Sequence, residues 1–220
     1  MADASTIASL ATAGGTLVLA IATFGSTRSA NRAARVSEQS LKVGLRPVLF
    51  NSRPQDPAQK VGYGDDHWVV LRDGLAVAQQ AQDGNIYLAM PLRNVASGIA
   101  VLHGWHLWPR RAGLEDPHPV LDDFRTQTRD LYVPAGDISF WQAALRDSGD
   151  ELYAPVREAI ASGGPLSVDL LYGDHEGGQR TITRFYMIPR HRPAGEQDEE
   201  PWLRLCSVSR HWNIDRADPR

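Results

Sequence analysis

Lysine is nearly absent from this chain. Of its 23 basic residues only Lys42 and Lys60 are lysine, and the arginine excess accompanies abundant alanine and glycine. That bias is genetic and not physical, and it points to a GC-rich bacterial genome. Cysteine is scarcer still. The lone Cys206 rules out an internal disulfide and the cysteine-rich zinc patterns, and it agrees with a reducing compartment. Net positive charge is missing too: the formal net charge is −3 and the isoelectric point is near 6.1. No basic strip runs between the six tryptophans, so they read as sheet and core packing and nucleic acid is not an expected partner. Catalytic signatures are lacking as well. There is no dinucleotide fingerprint, phosphate-cradling glycine loop, or Ser or Cys nucleophile motif. No catalytic residue, metal ligand or cofactor is assigned.

The absence with the largest consequence is that of charge between Ala4 and Thr27. As a helix this run would reach roughly 36 Å at 1.5 Å per residue, enough for a hydrocarbon core of about 30 Å. Ile7, Leu10, Leu17, Val18, Leu19, Ile21 and Phe24 supply its apolar character, and Thr and Gly residues dilute it. A secretory signal would carry positive charge before its apolar core, where only Asp3 stands. A surface helix would carry Lys or Arg along one face. The expectation is a single transmembrane helix over 1–27 with a very short tail. Arg28, Arg32, Arg35, Lys42 and Arg46 follow it against the single Glu38, which predicts a cytoplasmic body by the positive-inside rule. Ala4, Ala8, Thr12, Thr16 and Ala20 lie four apart, a small-residue stripe suited to weak homo-association in the bilayer.

Good helix formers continue the helix as a basic stalk over 28–46, stopped by Gly44 and Pro47. From 47 to 220 the pattern is mainly β. Extended runs are expected at 47–51, 67–72, 130–133 and 201–212, with 75–82 ambiguous. Alternation over 86–94 and 101–108 predicts a hairpin. The runs 166–172 and 180–188 predict a second hairpin, joined by Gly173-Asp-His-Glu-Gly-Gly178. Two short helices are expected at 137–146 and 150–162. The fold expected is an antiparallel β-sandwich with a helical insertion over about 137–162.

Three segments are the most distinctive: 129–142, 169–185 and 210–215. They resemble stretches of single-span membrane proteins of GC-rich bacteria with a C-terminal β-rich domain, a group without an assigned activity. That resemblance implies no catalytic residues. Asp174, His175, Glu176 and Arg180 on the second hairpin, with Arg210 and His211, are the candidate binding residues. An EF-hand reading fails at Gln179, where glycine is required, and at Phe185, where the bidentate glutamate belongs. His103 and His106, three apart on a strand, are expected on opposite faces. Two functions follow. One is a protein-interaction or scaffolding module at the inner face of the membrane. The other is a small-ligand sensor or enzyme using the 173–180 hairpin and the 210–215 segment.

Overall fold

The structure is a computed structural model that describes residues 3–190 and 200–215, with side chains in the first helix described from Thr12 onward. The chain divides into a helix, through Gly44, and a β-rich body from Leu45. The helix, α1, runs unbroken over Ala4–Gly44. Thr16, Thr23 and Thr27 each donate their hydroxyl to the carbonyl four residues back, at 2.8–2.9 Å, so these three hydroxyls are satisfied within the helix. Lys42 pairs with Glu38 one turn earlier at 2.7 Å. Among the described residues no helix is long and apolar enough to cross a membrane. Residues 4–11, the start of the expected span, lie outside the described side chains.

The body is a curled antiparallel sheet rather than two stacked sheets. Its ten strands are β1 (Leu49–Asn51), β4 (Leu75–Gln80), β5 (Ile86–Asn94), β6 (Ala100–Trp108), β7 (Arg125–Thr126), β8 (Tyr132–Val133), β9 (Ile138–Leu145), β10 (Leu166–Gly173), β11 (Thr181–Pro189) and β12 (Leu203–Asn213). The strand path is β1-β5-β4-β12-β11-β10-β6-β7, with β9 on the other side of β5 and β8 on β6. Bulges interrupt the register opposite Leu171/Tyr172 and opposite Arg184/Phe185. Such bulges bend a strand and steepen its twist, and here they let one sheet fold over its own core. Leu88, Met90, Trp105, Trp141, Val168, Leu170, Phe185 and Met187 fill that core. One helix, α2 (Tyr153–Ala161), contributes Tyr153, Val156 and Ala159 to it.

The outer face is covered in two places. A separate ribbon, β2 (Gln59–Gly62) with β3 (Trp68–Leu71), sits on Leu75, Val77, Tyr87 and Ala89. The irregular stretch 109–124 runs beside Leu171, Ile182 and Trp212 through Phe124 and His118.

The hairpin 166–188 forms as expected, and so does the helix within 150–162. Three expectations are corrected. Residues 137–146 are not helical: Ile138–Leu145 is a strand paired with β5 along its whole length. Trp141, Ala143 and Leu145 enter the main core, while Phe140 and Ala144 pack under the ribbon. That two-sided burial overrides the helix propensity of Gln142-Ala-Ala-Leu145. The strands 86–94 and 100–108 are not paired with each other, since β5 borders β1, β4 and β9 whereas β6 borders β10, β7 and β8. Their connection is a crossover held by buried Asn94, whose amide donates to the carbonyls of Gly98 at 2.6 Å and Val133 at 3.2 Å. His103 and His106 share a face, because His103 is the extra residue of the β6 bulge and reverses the alternation after it. Among the described residues no metal-holding group of His, Cys, Asp and Glu results.

Arg46 also departs from its expected place in a solvated stalk. It is buried in the body, where it donates to Asn213 at 3.0 Å, Thr181 at 3.2 Å and Asp215 at 2.5 Å.

Candidate functional site

The six candidate residues do not converge. Asp174 is buried and caps its own turn, with Oδ1 accepting from the Gly178 amide at 2.8 Å. His175, Glu176 and Arg180 are exposed around it. On β12, Arg210 stands opposite Arg184 and His211 opposite Thr183, so strand alternation sends the two neighbours to opposite faces. Arg210 lies over the Trp212 ring at 5.1 Å on the outer face. On the core side His211 Nδ1 meets the Thr183 hydroxyl at 2.7 Å. That hydroxyl meets Tyr172 Oη at 2.8 Å, and Tyr172 accepts the Leu49 amide at 3.1 Å. Burial pushes the Tyr172 phenol up to about 12. The relay is a fixed structural pin that ties β1 to β10, β11 and β12.

Two other regions carry recognition chemistry. The first is a cleft of about 200 Å³ where β9 and the end of β7 face each other across the seam of the curled sheet. Trp105 lies in it and meets Trp141 edge-on at 5.7 Å. Gln127, Arg129, Gln142 and Arg146 line its walls with Tyr63. The Gln127 amide nitrogen donates to the Arg129 carbonyl at 2.7 Å, and that of Gln142 donates to the Asp130 carboxylate. Asp130 adopts φ 52°, a left-handed conformation that Asp tolerates better than most residues. Arg146 donates to Asp65 at 2.8 Å, and chiefly this bond holds the Asp65 carboxyl well below the usual carboxylate range. Gly64 allows the Arg129 guanidinium to lie close by, since a Cβ there would come within 3.1 Å of Nη1.

The second region is a concavity of about 360 Å³ between the ribbon and the turn before β12, lined by Trp68, Val70 and Trp202. Trp68 is 55% exposed and Val70 49%. The Trp68 ring nevertheless packs against the ribbon. Gly62 leaves room for it, since a Cβ there would lie 2.6 Å from the ring, and Lys60 covers it with Nζ 4.5 Å from the centroid. The ion pair between Arg72 and Glu200 stands at the edge of this concavity.

Sequence reasoning missed both regions. The cleft draws on residues from 63 to 146, distant in the chain and joined only by the curl. Of the ribbon, the strand Trp68–Leu71 falls within the extended run expected at 67–72, whereas its partner Gln59–Gly62, in a polar stretch, is not among the expected runs. No protein-family model, curated protein or solved structure matches the chain.

Proposed function

We infer that the protein is a protein-interaction module, tethered to a membrane by residues 4–27, with its β-rich body on the cytoplasmic side. One observation carries the interaction reading: Trp68 is more than half exposed yet packed against Gly62 and Lys60. Large aromatics are the residues most often found as interface anchors, and a ring already packed against its neighbours loses less freedom on binding. Val70 and Trp202 widen the apolar surface around it. The spread of Asp174, His175, Glu176, Arg180, Arg210 and His211 over two faces favours this reading over a sensor built on those residues. Support for the tether is the uncharged run itself, followed by Arg28, Arg32, Arg35 and Lys42. Arg46, buried in the body, drops out of that charge count, and the remaining four still outnumber Glu38.

A photo-cross-linking amino acid at Val70 tests the interaction in native membranes. The expected result is a discrete cross-linked protein that is lost in Trp68→Ala while the variant stays folded. A partner that survives Trp68→Ala, or no cross-link at all, overturns the reading. A cross-link to a second copy of the chain replaces it with self-association.

A further inference from the structure

Three arginines of α1 stand without a partner. Arg28, Arg32 and Arg35 are exposed and form no ion pair among the described residues, whereas Lys42 further along is taken by Glu38. No acidic residue stands between Asp3 and Glu38. Because the helix is unbroken over Ala4–Gly44, its faces follow from the turn of about 100° per residue. Leu17, Ile21, Phe24, Arg28, Arg32 and Arg35 then fall within about 80° of one another. One face is thus apolar up to Phe24 and basic from Arg28. Its basic part is a groove of about 480 Å³, lined by the three arginines with Thr27 and Asn31, and with Phe24 at its apolar end.

A ligand that matches this face is anionic at one end and apolar at the other, along the helix axis. A soluble phosphate or a nucleic acid would engage the guanidiniums and leave Leu17, Ile21 and Phe24 bare. We propose, on the basis of the membrane tether inferred above, that this face binds an anionic phospholipid. Its phosphate sits in the groove and an acyl chain lies along Phe24, Ile21 and Leu17. The uncharged run ends at Thr27, so Arg28 stands where hydrocarbon gives way to the headgroup layer, about 5–8 Å thick on each side. Arg32 lies about 6 Å beyond Arg28 and Arg35 about 10 Å, within reach of that layer for side chains as long as arginine. Guanidinium is also the cation best shaped for a bidentate phosphate contact. Lys42, about 21 Å beyond Arg28 and already paired, is outside the screening length of about 8–10 Å.

The test pairs flotation with native mass spectrometry of the purified full chain. Flotation on neutral phosphatidylcholine vesicles reads the tether alone. Native mass spectrometry in mild detergent reads retention of phosphatidylglycerol, phosphatidylcholine, glycerol phosphate and a short single-stranded RNA. The chain is expected to retain phosphatidylglycerol at a concentration about tenfold or more below that needed for phosphatidylcholine. Arg28→Gln, Arg32→Gln and Arg35→Gln together remove that preference, and because Gln is a good helix former they leave α1 intact by circular dichroism. Lys42→Gln, which removes one charge from the same helix, leaves the preference in place. Equal retention of the two lipids overturns the proposal, as does a preference that survives the triple substitution. Glycerol phosphate or RNA held as tightly as phosphatidylglycerol overturns it too, since either would mean a site indifferent to the acyl chain. Failed flotation with an intact lipid preference defeats the tether and leaves the headgroup site standing. Flotation without a preference defeats the headgroup site alone.

Discussion

Arg184 and Asp169 form a fully buried ion pair in which the guanidinium grips the carboxylate with two hydrogen bonds, Nε to Oδ1 at 2.7 Å and Nη2 to Oδ2 at 2.8 Å. The remaining donors of Arg184 reach the carbonyls of Gly113, Asp116 and Pro117 at 3.0–3.3 Å. Trp108 Nε1 completes the carboxylate at 2.8 Å. All five N–H groups of the arginine are thus used, and three of them hold the stretch 109–124 against the sheet. Removing one partner strands a buried charge. Asp169→Ala is expected to lose about 3–5 kcal/mol of stability, read from urea unfolding, and to expose 109–124 to proteases first. A similar loss without faster cleavage there would mean the pair does not anchor that stretch.

Asp150 has two tasks, pairing with Arg125 at 2.5 and 2.8 Å and accepting the Leu152 amide at 2.9 Å ahead of α2. Asp150→Ala should cost about 1–2 kcal/mol, the range for a lost helix-entry bond together with a partly exposed ion pair. Hydrogen exchange checks the location, with faster exchange expected in the first turn of α2.

Acid should unfold the body through such aspartates. The Arg93 bond to Asp56 and the Arg125 bond to Asp150 hold both carboxyls below their usual range. A depressed folded-state pKa means that the associated stability is present above the ordinary Asp value, about 3.9. It is lost as the pH falls through the folded-state pKa. Urea midpoints are expected to fall below about pH 4, and by less in a variant carrying both Asp56→Asn and Asp150→Asn. An equal fall in that variant would assign acid sensitivity elsewhere.

Cys206 packs against the main core, and burial pushes its thiol up to about 12. Cys206 is half-buried, and its raised pKa keeps the thiolate a small minority at pH 8. Maleimide labelling should therefore be slow in the folded protein and rapid in urea. Because the folded pKa is raised, the stability linked to this thiol is complete below its unfolded value, about 8.5, and is lost as the pH rises toward 12. Rapid labelling of the native chain at pH 8 would contradict the packing.

Membrane attachment has its own test. Leu19→Arg should weaken insertion by about 3 kcal/mol and shift protein from the membrane to the soluble fraction. With the unmodified run, alkaline phosphatase fused after Arg220 should be inactive and a green fluorescent reporter should glow. The opposite pair of results would place the body outside the cytoplasm.

Some of this architecture is written in local pattern. Leu166, Val168, Leu170 and Tyr172 alternate, Gly173 to Gly178 offers turn chemistry, and Leu152, Val156 and Ile160 repeat at helical spacing, so the second hairpin and α2 follow from neighbours alone. The unbroken α1 likewise needs only its own residues. Tertiary structure decided the rest. Gln142-Ala-Ala-Leu145 prefers a helix by itself and becomes a strand because β5 supplies hydrogen bonds and two cores claim its alternate side chains. His103 and His106 share a face because one inserted residue reverses the alternation, and the spacing of the histidines does not reveal the insertion. The burial of Arg46 depends on Asn213 and Asp215, more than 160 residues away. Periodicity reports which side chains share a face of one element. It carries no information about which strand lies alongside, and the cleft of Gln127, Arg129 and Gln142 exists only because a curled sheet brings its two ends together.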